Sequence, residues 1–179
     1  LRVLDVKKTP KGYYVHTCVL ESGIVKVGDV LTAQVDKGYR MAIARNHTAT
    51  HLLQAALREV LGDHVHQAGS YQDASITHFD FTHFSAVTPE ELVRVQKIVN
   101  DKIFESMNVT VKEMPIEEAK KLGAMALFGE KYGKVVRVVD IEGWSTEFCG
   151  GTHVKNTAQI GGFKIVSESS VAAGIRRIE

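Results

Sequence analysis

Apolar residues recur at helical spacing in two long stretches of the chain. Between Asn46 and Gly62 they occupy every third or fourth position, and the pattern predicts a helix with Asn46 as its N-cap and Gly62 as its C-terminal stop. A second helix is predicted to begin after Thr88, because TPEE supplies an N-cap, a proline at the first helical position and a glutamate that closes a capping box. This second helix is expected to run to about Met107.

Alternation of apolar and polar residues predicts the strands. Residues 1–40 contain the short strand-like runs YYVHTCVL, IVKVGD and VLTAQVD, separated by turn residues. Further strand-like runs are HFDFTHF, VTVKEM, VVRVVDI, FKIVSES and IRRIE. A short helix is predicted from Pro115 to Leu122. Because no βαβ alternation occurs, the predicted fold class is α+β, a mainly antiparallel sheet with two main helices. We expect residues 1–40 to be the C-terminal part of a small β-barrel, since about four strands cannot close one, and residues 41–179 to be a second domain.

Composition limits the class of protein. With 179 residues, 44% of them hydrophobic, the chain can form one sizeable core, or one domain and part of another. No apolar run is long enough to span a membrane, and LRVLDVKKTPKG lacks the apolar stretch of a signal peptide, so we expect a cytoplasmic protein. A net charge of +1 does not by itself indicate nucleic-acid binding. Because the chain begins without Met and ends on a strand-like run, we expect it to be a fragment.

Two histidines four residues apart stand near the start of the first predicted helix. His47 and His51 share a polar face with Gln54 and Arg58. Histidines at this spacing can converge on one metal ion, although for the pair alone a solvated polar face is the more frequent explanation. HTATH lacks the glutamate of the zinc metalloprotease pattern, and the chain has no zinc deaminase pattern.

A second pair of candidate ligands lies about a hundred residues later in STEFCGGTHV. Cys149 and His153 are again four apart, and the two glycines between them allow a tight backbone turn. For this segment alone, a structural cysteine and an unrelated surface histidine are the alternative. Joined with the histidines of the helix, the pair gives three nitrogen donors and one sulfur donor, a set that suits Zn²⁺.

Six segments together resemble the bacterial type of editing domain of alanyl-tRNA synthetase: RNHTATHLL, HQAGS, HFDFTHF, GAMALFGEKYG, STEFCGGTHV and GGFKIVSESSVAAGIRRIE. Freestanding alanyl-tRNA editing proteins share this domain, and threonyl-tRNA synthetase has a more distant version. VKVGDVLTAQVD resembles the end of the β-barrel that precedes it. The resemblance implies one Zn²⁺ per chain, with four ligands: His47, His51, Cys149 and His153. It also implies hydrolysis of the ester between serine or glycine and tRNA(Ala), within an ATP-dependent ligase whose own active site lies outside this chain.

The resemblance also suggests candidates for catalysis. Gln67 matches a functionally sensitive glutamine of the family, and Thr48 and Thr50 flank the histidine face, so these residues are candidates for recognising the serine hydroxyl. We take Gln67 and Thr48 as the predicted catalytic residues. A threonine inside a helix can instead bond its own backbone. His78 departs from the family, because it stands where a basic residue is usual.

The expected partner is the acceptor end of tRNA(Ala) carrying serine or glycine, together with the remaining synthetase domains and no membrane. Arg45, Lys131, Arg176 and Arg177 are the predicted tRNA contacts, with Arg40, Arg58 and Lys134 as further candidates. For each of them a solvated surface charge is the alternative. Two other functions stay open. One is a freestanding deacylase with the same chemistry and no synthetase attached. The other is a structural zinc module that binds RNA or holds neighbouring domains together, which closed coordination by four protein ligands would support.

Overall fold

The first compact unit of the protein is a β-hairpin with an extended tail. The computed structural model describes residues 1–126 and 132–179, which divide into a unit of residues 1–35 and a unit of residues 36–179. In the first unit, strands β1 (Arg2–Lys8) and β2 (Tyr14–Val19) pair antiparallel. The strands predicted in residues 20–36 are absent. Their residues alternate as in a strand, but a strand also needs a neighbour to satisfy its backbone groups, and none pairs with them in the described residues.

The second unit begins with the longest helix, α1 (Lys37–Leu61). The prediction that Asn46 is its N-cap is wrong, since Asp36 caps the helix and the first turns contain residues compatible with helix. Asn46 lies inside the helix, and its side chain donates a hydrogen bond of 2.8 Å to the carbonyl of Asp73. The helix ends at Gly62 as predicted, where a φ of 114° suits glycine.

Helix α2 (Pro89–Phe104) begins as predicted. The side chain of Thr88 accepts the backbone N–H of Glu91, and the Glu91 carboxylate accepts the backbone N–H of Thr88, which completes the capping box. The helix ends three residues before the predicted end at Met107. The predicted short helix is present as α3 (Ile116–Lys121).

In the described residues of the second unit, seven strands form two antiparallel sheets, which confirms the α+β class. In chain order they are β3 (Gln67–Gln72), β4 (Thr77–Thr82), β5 (Val109–Pro115), β6 (Val135–Ile141), β7 (Ser145–Phe148), β8 (Glu168–Ala172) and β9 (Ile175–Ile178). The four-stranded sheet has the order β3-β4-β9-β8, and the three-stranded sheet has the order β5-β6-β7. Of the predicted FKIVSES strand, only the last two residues, from Glu168 onwards, lie in a strand, β8. Val166 and Ser167 precede it and form backbone hydrogen bonds with Glu179.

The core lies where α1 and α2 pack against each other and against the four-stranded sheet. Its largest fully buried side chains include Leu52, Leu53 and Leu57 of α1 and Phe79 and Phe81 of β4. This packing holds α1 in place while β7 leads into the segment 149–153, which crosses α1 beside His47. No helix in the described ranges is long and apolar enough to span a membrane.

Candidate metal centre

The four predicted ligands lie together in the folded chain. Their possible donor atoms are all within 4.8 Å of one another, although His47 and His51 are separated from Cys149 and His153 by about a hundred residues. The Sγ atom of Cys149 lies 3.3 Å from Nε2 of His47 and 3.3 Å from Nε2 of His153. A zinc ion with tetrahedral ligands would hold a sulfur and a nitrogen about 3.6 Å apart, so the cluster is close to that geometry.

The histidine face of α1 is buried. His51 is 3% exposed and Gln54 is 5% exposed, because β7 and the segment after it pack over this side of the helix. The alternative of a solvated face with incidental histidines is therefore wrong for His51. Arg58, one turn further along, donates hydrogen bonds of 2.9 Å to the carbonyls of Asp63 and Val65 and ties the end of α1 to the following loop.

Two features position the segment that carries Cys149: hydrogen bonds from Arg137, and the close approach of Gly151 to the ring of His47. Nη1 of Arg137 donates hydrogen bonds of 2.7 Å to the carbonyls of both Cys149 and Gly151. A Cβ atom on Gly151 would lie 1.9 Å from Cε1 of His47, so only glycine allows the segment to pass this ring. Gly151 is thus required because a side chain would collide with His47. Its absence lets the segment pass close to α1, so that Cys149 reaches the histidines of the helix.

The electrostatic environment keeps the imidazoles in the form that binds metals. Burial, and to a smaller extent the neighbouring imidazoles and Arg137, lower the pKa of His51 to about 3 and that of His153 to about 2. Burial also lowers the pKa of His47. Neutral imidazole is the ligand form, and the Nδ1 atom of His51 is buried without a hydrogen-bond partner in the described part of the chain. The donor set and its surroundings are therefore compatible with zinc.

A cavity of about 450 Å³ adjoins the cluster. It is lined by His47, His51 and Cys149, and by polar side chains from α1, β3, β6 and β7, namely Thr50, Gln67, Ser70, Gln72, Arg137 and Glu147. Nε2 of Gln67 donates to Oγ of Ser70 at 3.2 Å, and Nε2 of Gln72 donates to Oγ1 of Thr50 at 3.3 Å. Two of the candidates for substrate recognition, Gln67 and Thr50, therefore face this cavity.

Thr48 lies elsewhere. It is fully buried and does not line the cavity. Its hydroxyl donates to the carbonyl of Ala44 at 2.9 Å, accepts the N–H of Val154 at 3.2 Å and lies 3.2 Å from Nδ1 of His153. The structure thus places Thr48 behind the ring of a predicted ligand, where it contacts the metal cluster and not the cavity.

Two of the predicted tRNA contacts have carboxylate partners on neighbouring strands. The guanidinium of Arg176 forms two hydrogen bonds with Glu168, and that of Arg177 donates to Asp80 at 2.7 and 2.8 Å. His78, the residue that departs from the family, lies with Nε2 3.3 Å from a carboxylate oxygen of Glu179. These side chains join the strands of the four-stranded sheet.

The other predicted tRNA contacts have different surroundings. Nε of Arg45 donates to the carbonyl of Gln159 at 2.9 Å, and this side chain borders a second cavity of about 250 Å³. Arg40 and Lys134 are exposed. Lys131 lies outside the described residues.

Sequence reasoning missed two residues of the site, Arg137 and Glu147. Arg137 is the only basic residue in the apolar run VVRVVDI. Glu147 stands two positions before Cys149, so strand alternation puts it on the same side as that ligand. Glu147 is 6% exposed, and burial raises its pKa to about 8, against a smaller lowering by the hydrogen bond from Ser145. The available signals were a basic residue inside an apolar strand run for Arg137 and the two-residue spacing from Cys149 for Glu147.

The fold and the cluster agree with one class of protein. Residues 136–179, which include β6, β7, Cys149 and His153, match the family described as threonyl and alanyl tRNA synthetase second additional domain. The resemblance to the editing domain of alanyl-tRNA synthetase is confirmed by this match.

The whole chain matches a segment of alanine–tRNA ligases. It is 59% identical over 179 residues to the alanine–tRNA ligase of Acetivibrio thermocellus, 56% over 177 residues to that of Bacillus pumilus and 55% over 179 residues to that of Bacillus subtilis. These alignments cover 99 to 100% of this chain and 20% of each relative. The chain therefore spans about a fifth of the length of the curated relatives it matches.

Proposed function

We propose that this chain is the editing part of an alanine–tRNA ligase and hydrolyses the ester between serine or glycine and the terminal ribose of tRNA(Ala). The charging of tRNA(Ala) with alanine from ATP would take place at a site outside this chain, in the cytoplasm. The observation that carries the proposal is the convergence of the four donors His47, His51, Cys149 and His153, all of which except His153 line a polar cavity. The matches to alanine–tRNA ligases support the same assignment.

One zinc ion per chain would be held by these four side chains and, when bound, would supply positive charge to the cavity wall. Four protein donors complete a tetrahedral set, which is typical of a zinc ion that organises a site. An aminoacyl ester is already activated, so its hydrolysis needs a positioned water and stabilisation of the developing oxyanion, without a protein nucleophile. The polar groups of the cavity and those of the substrate would position that water.

Selection of serine against alanine would rest on hydrogen bonds to the extra hydroxyl. Gln67 and Thr50 have polar groups at the cavity, and each is already oriented by a neighbouring side chain. A site that bonds a substrate hydroxyl can reject an analogue without it by on the order of 10⁴-fold in the best cases. We assign the substrate contact to Gln67, with Thr50 as its neighbour, and assign Thr48 to the positioning of His153.

The acceptor end of the tRNA would bind this chain through the contacts predicted from the sequence, Arg45, Lys131, Arg176 and Arg177. Phosphate contacts release counterions, so binding should weaken steeply as the salt concentration rises. An affinity for tRNA(Ala) that stays flat between about 50 and 200 mM salt would argue against a tRNA path on this chain.

The direct test is deacylation of Ser-tRNA(Ala) and Gly-tRNA(Ala) by the purified 179-residue chain. We expect faster hydrolysis of both than of Ala-tRNA(Ala), and loss of this activity together with zinc in Cys149→Ala. Cys18→Ala, which removes the other cysteine, is the matched control and should be active. Rates equal to those in buffer alone would contradict the hydrolase proposal.

A structural zinc module that binds RNA is the second candidate, and the closed set of four donors favours it. The deacylation assay separates the two, because such a module would bind zinc and tRNA without hydrolysing the ester. A freestanding deacylase would share the chemistry proposed above, and it differs only in lacking the ligase domains.

A further inference from the structure

A buried carboxylate lies directly behind one of the predicted ligands. Glu147 is on β7, and its Oε2 atom is 3.6 Å from Nδ1 of His51, with the two side chains only 8% and 4% exposed. Its Oε1 atom accepts a hydrogen bond of 3.1 Å from the hydroxyl of Ser145. His51 is its only ion-pair contact in the described part of the chain. Burying a carboxylate this deeply without a lysine or arginine is costly, so the arrangement calls for an explanation.

The two ring nitrogens of His51 face different surroundings. Nδ1 faces Glu147 and has no hydrogen-bond partner of its own in the described residues, which leaves Nε2 as the nitrogen for the metal cluster. His153 shows the same layout, because its Nε2 lies 3.3 Å from Sγ of Cys149 and its Nδ1 lies 3.2 Å from Oγ1 of Thr48. A neutral imidazole carries one N–H, so an acceptor at Nδ1 places the lone pair on Nε2.

We propose that Glu147 is a positioning residue of the metal centre: its carboxylate accepts a hydrogen bond from Nδ1–H of His51 and directs Nε2 of that ring towards the other three donors. The 3.6 Å separation is about 0.7 Å longer than an ordinary hydrogen bond of about 2.9 Å, so the proposed bond requires a shift of about that size. Carboxylates behind ligating histidines fix the ring and raise its basicity. This inference rests on the proposed zinc site and adds a residue to it.

The charge of Glu147 suits the same role. A divalent ion bound by one thiolate and three neutral imidazoles keeps a net positive charge, and the ionised carboxylate 3.6 Å from His51 would compensate it inside the protein. Among the described residues, a protonated histidine is the only cation with which this carboxylate could pair when no metal is bound. Glu147 should therefore favour the metal-bound protein and disfavour the metal-free one.

Three variants of the 179-residue chain test the proposal through metal affinity. Glu147→Leu removes the acceptor, Glu147→Gln keeps an acceptor without charge, and Glu113→Gln makes the same amide change at an exposed position on β5 of the same sheet. The measurement is the zinc dissociation constant, obtained by competition with a chromophoric chelator. We expect zinc binding about 10- to 100-fold weaker in the leucine variant, an intermediate loss in the glutamine variant and no change in the control.

Two further measurements distinguish positioning from a general structural role. The unfolding free energy of metal-free Glu147→Leu should equal or exceed that of the parent chain, because an unpaired buried carboxylate has been removed. The visible absorption of the Co²⁺-loaded variant should show altered d–d bands, because His51 is misplaced, while the charge-transfer band from Cys149 is retained.

Several outcomes would overturn the proposal. Unchanged zinc affinity in Glu147→Leu would do so, as would a loss of metal-free stability large enough to explain the weaker binding. If the parent chain takes up no zinc, both this inference and the metal part of the proposed function are wrong. If the parent chain binds zinc and the Glu147 variants bind it equally tightly, the proposed function stands and this inference fails.

Discussion

Gly151 allows the sharpest test of how the metal centre is built. Its substitution by alanine would place a Cβ atom 1.9 Å from Cε1 and 2.3 Å from Nδ1 of His47. Ordinary contact begins at 3.4 Å, so ring and segment would have to separate by 3.4 − 1.9 = 1.5 Å. The φ angle of Gly151 is outside the left-handed region, so the alanine backbone is unstrained and only the contact changes.

The displacement is large compared with what zinc coordination tolerates. Zinc–nitrogen bonds are about 2.0 to 2.1 Å long and vary by about 0.2 Å, so a shift of 1.5 Å removes His47 from the ligand set. Since even changes behind a ligand weaken metal binding by about 10- to 100-fold, we expect the loss of His47 to exceed about 100-fold. Overpacking should also lower the stability of the metal-free chain by about 1 to 3 kcal/mol.

The adjacent glycine is the matched control. A Cβ atom on Gly150 would meet nothing within 4 Å, so Gly150→Ala should bind zinc as the parent chain does. The assay is chelator competition for zinc on both variants, with circular dichroism to show that each is folded. If Gly151→Ala is folded and binds zinc as tightly as Gly150→Ala, the reasoning is refuted. The close approach of Gly151 to the His47 ring would then not be required for zinc binding.

Three other predictions concern the surroundings of the site. Thr48→Val removes a buried hydroxyl that accepts the N–H of Val154, so urea unfolding should show a loss of about 1 to 3 kcal/mol, and no loss would contradict the role given to Thr48. In the metal-free chain, burial lowers the pKa of His51 to about 3, so the free energy of unfolding should fall as the pH drops below 6.5. The pKa of Glu147 is raised to about 8, so this group should increase the free energy of unfolding as the pH drops from 8 to 4.5. Glu147→Gln removes the opposing effect, and its unfolding free energy should fall more steeply from pH 7 to 5 than that of the parent; equal slopes would be inconsistent with this assignment. If Arg177 contacts a phosphate, Arg177→Gln should reduce the slope of log affinity for tRNA against log salt by about 0.7 to 0.9. An unchanged slope would mean that Arg177 pairs with Asp80 and does not contact the tRNA.

Local signals were predictable from the sequence where all their parts are neighbours in the chain. The start of α2 is correct because Thr88 and Glu91 complete the capping box within one turn. The predicted start of α1 is wrong because Asp36 and Asn46 are both residues that favour an N-cap. A sequence pattern cannot choose between them when the residues in between are compatible with a helix. The prediction of strands in residues 20–36 is wrong for a different reason. Alternation of apolar and polar residues does not supply the neighbouring strand with which a strand must pair.

The sequence by itself determined which residue types could hold a metal, because the two pairs at spacing four and the family resemblance both follow from the order of residues. Only the tertiary structure decided that these pairs meet, that the histidine face of α1 is buried, and that Thr48 contacts His153 while Gln67 faces the cavity. The contacts of Glu147 with His51 and of Gly151 with His47 join residues about a hundred positions apart. Such distances are set by how β7 and the segment after it pack on α1, which depends on the whole core and not on any local pattern.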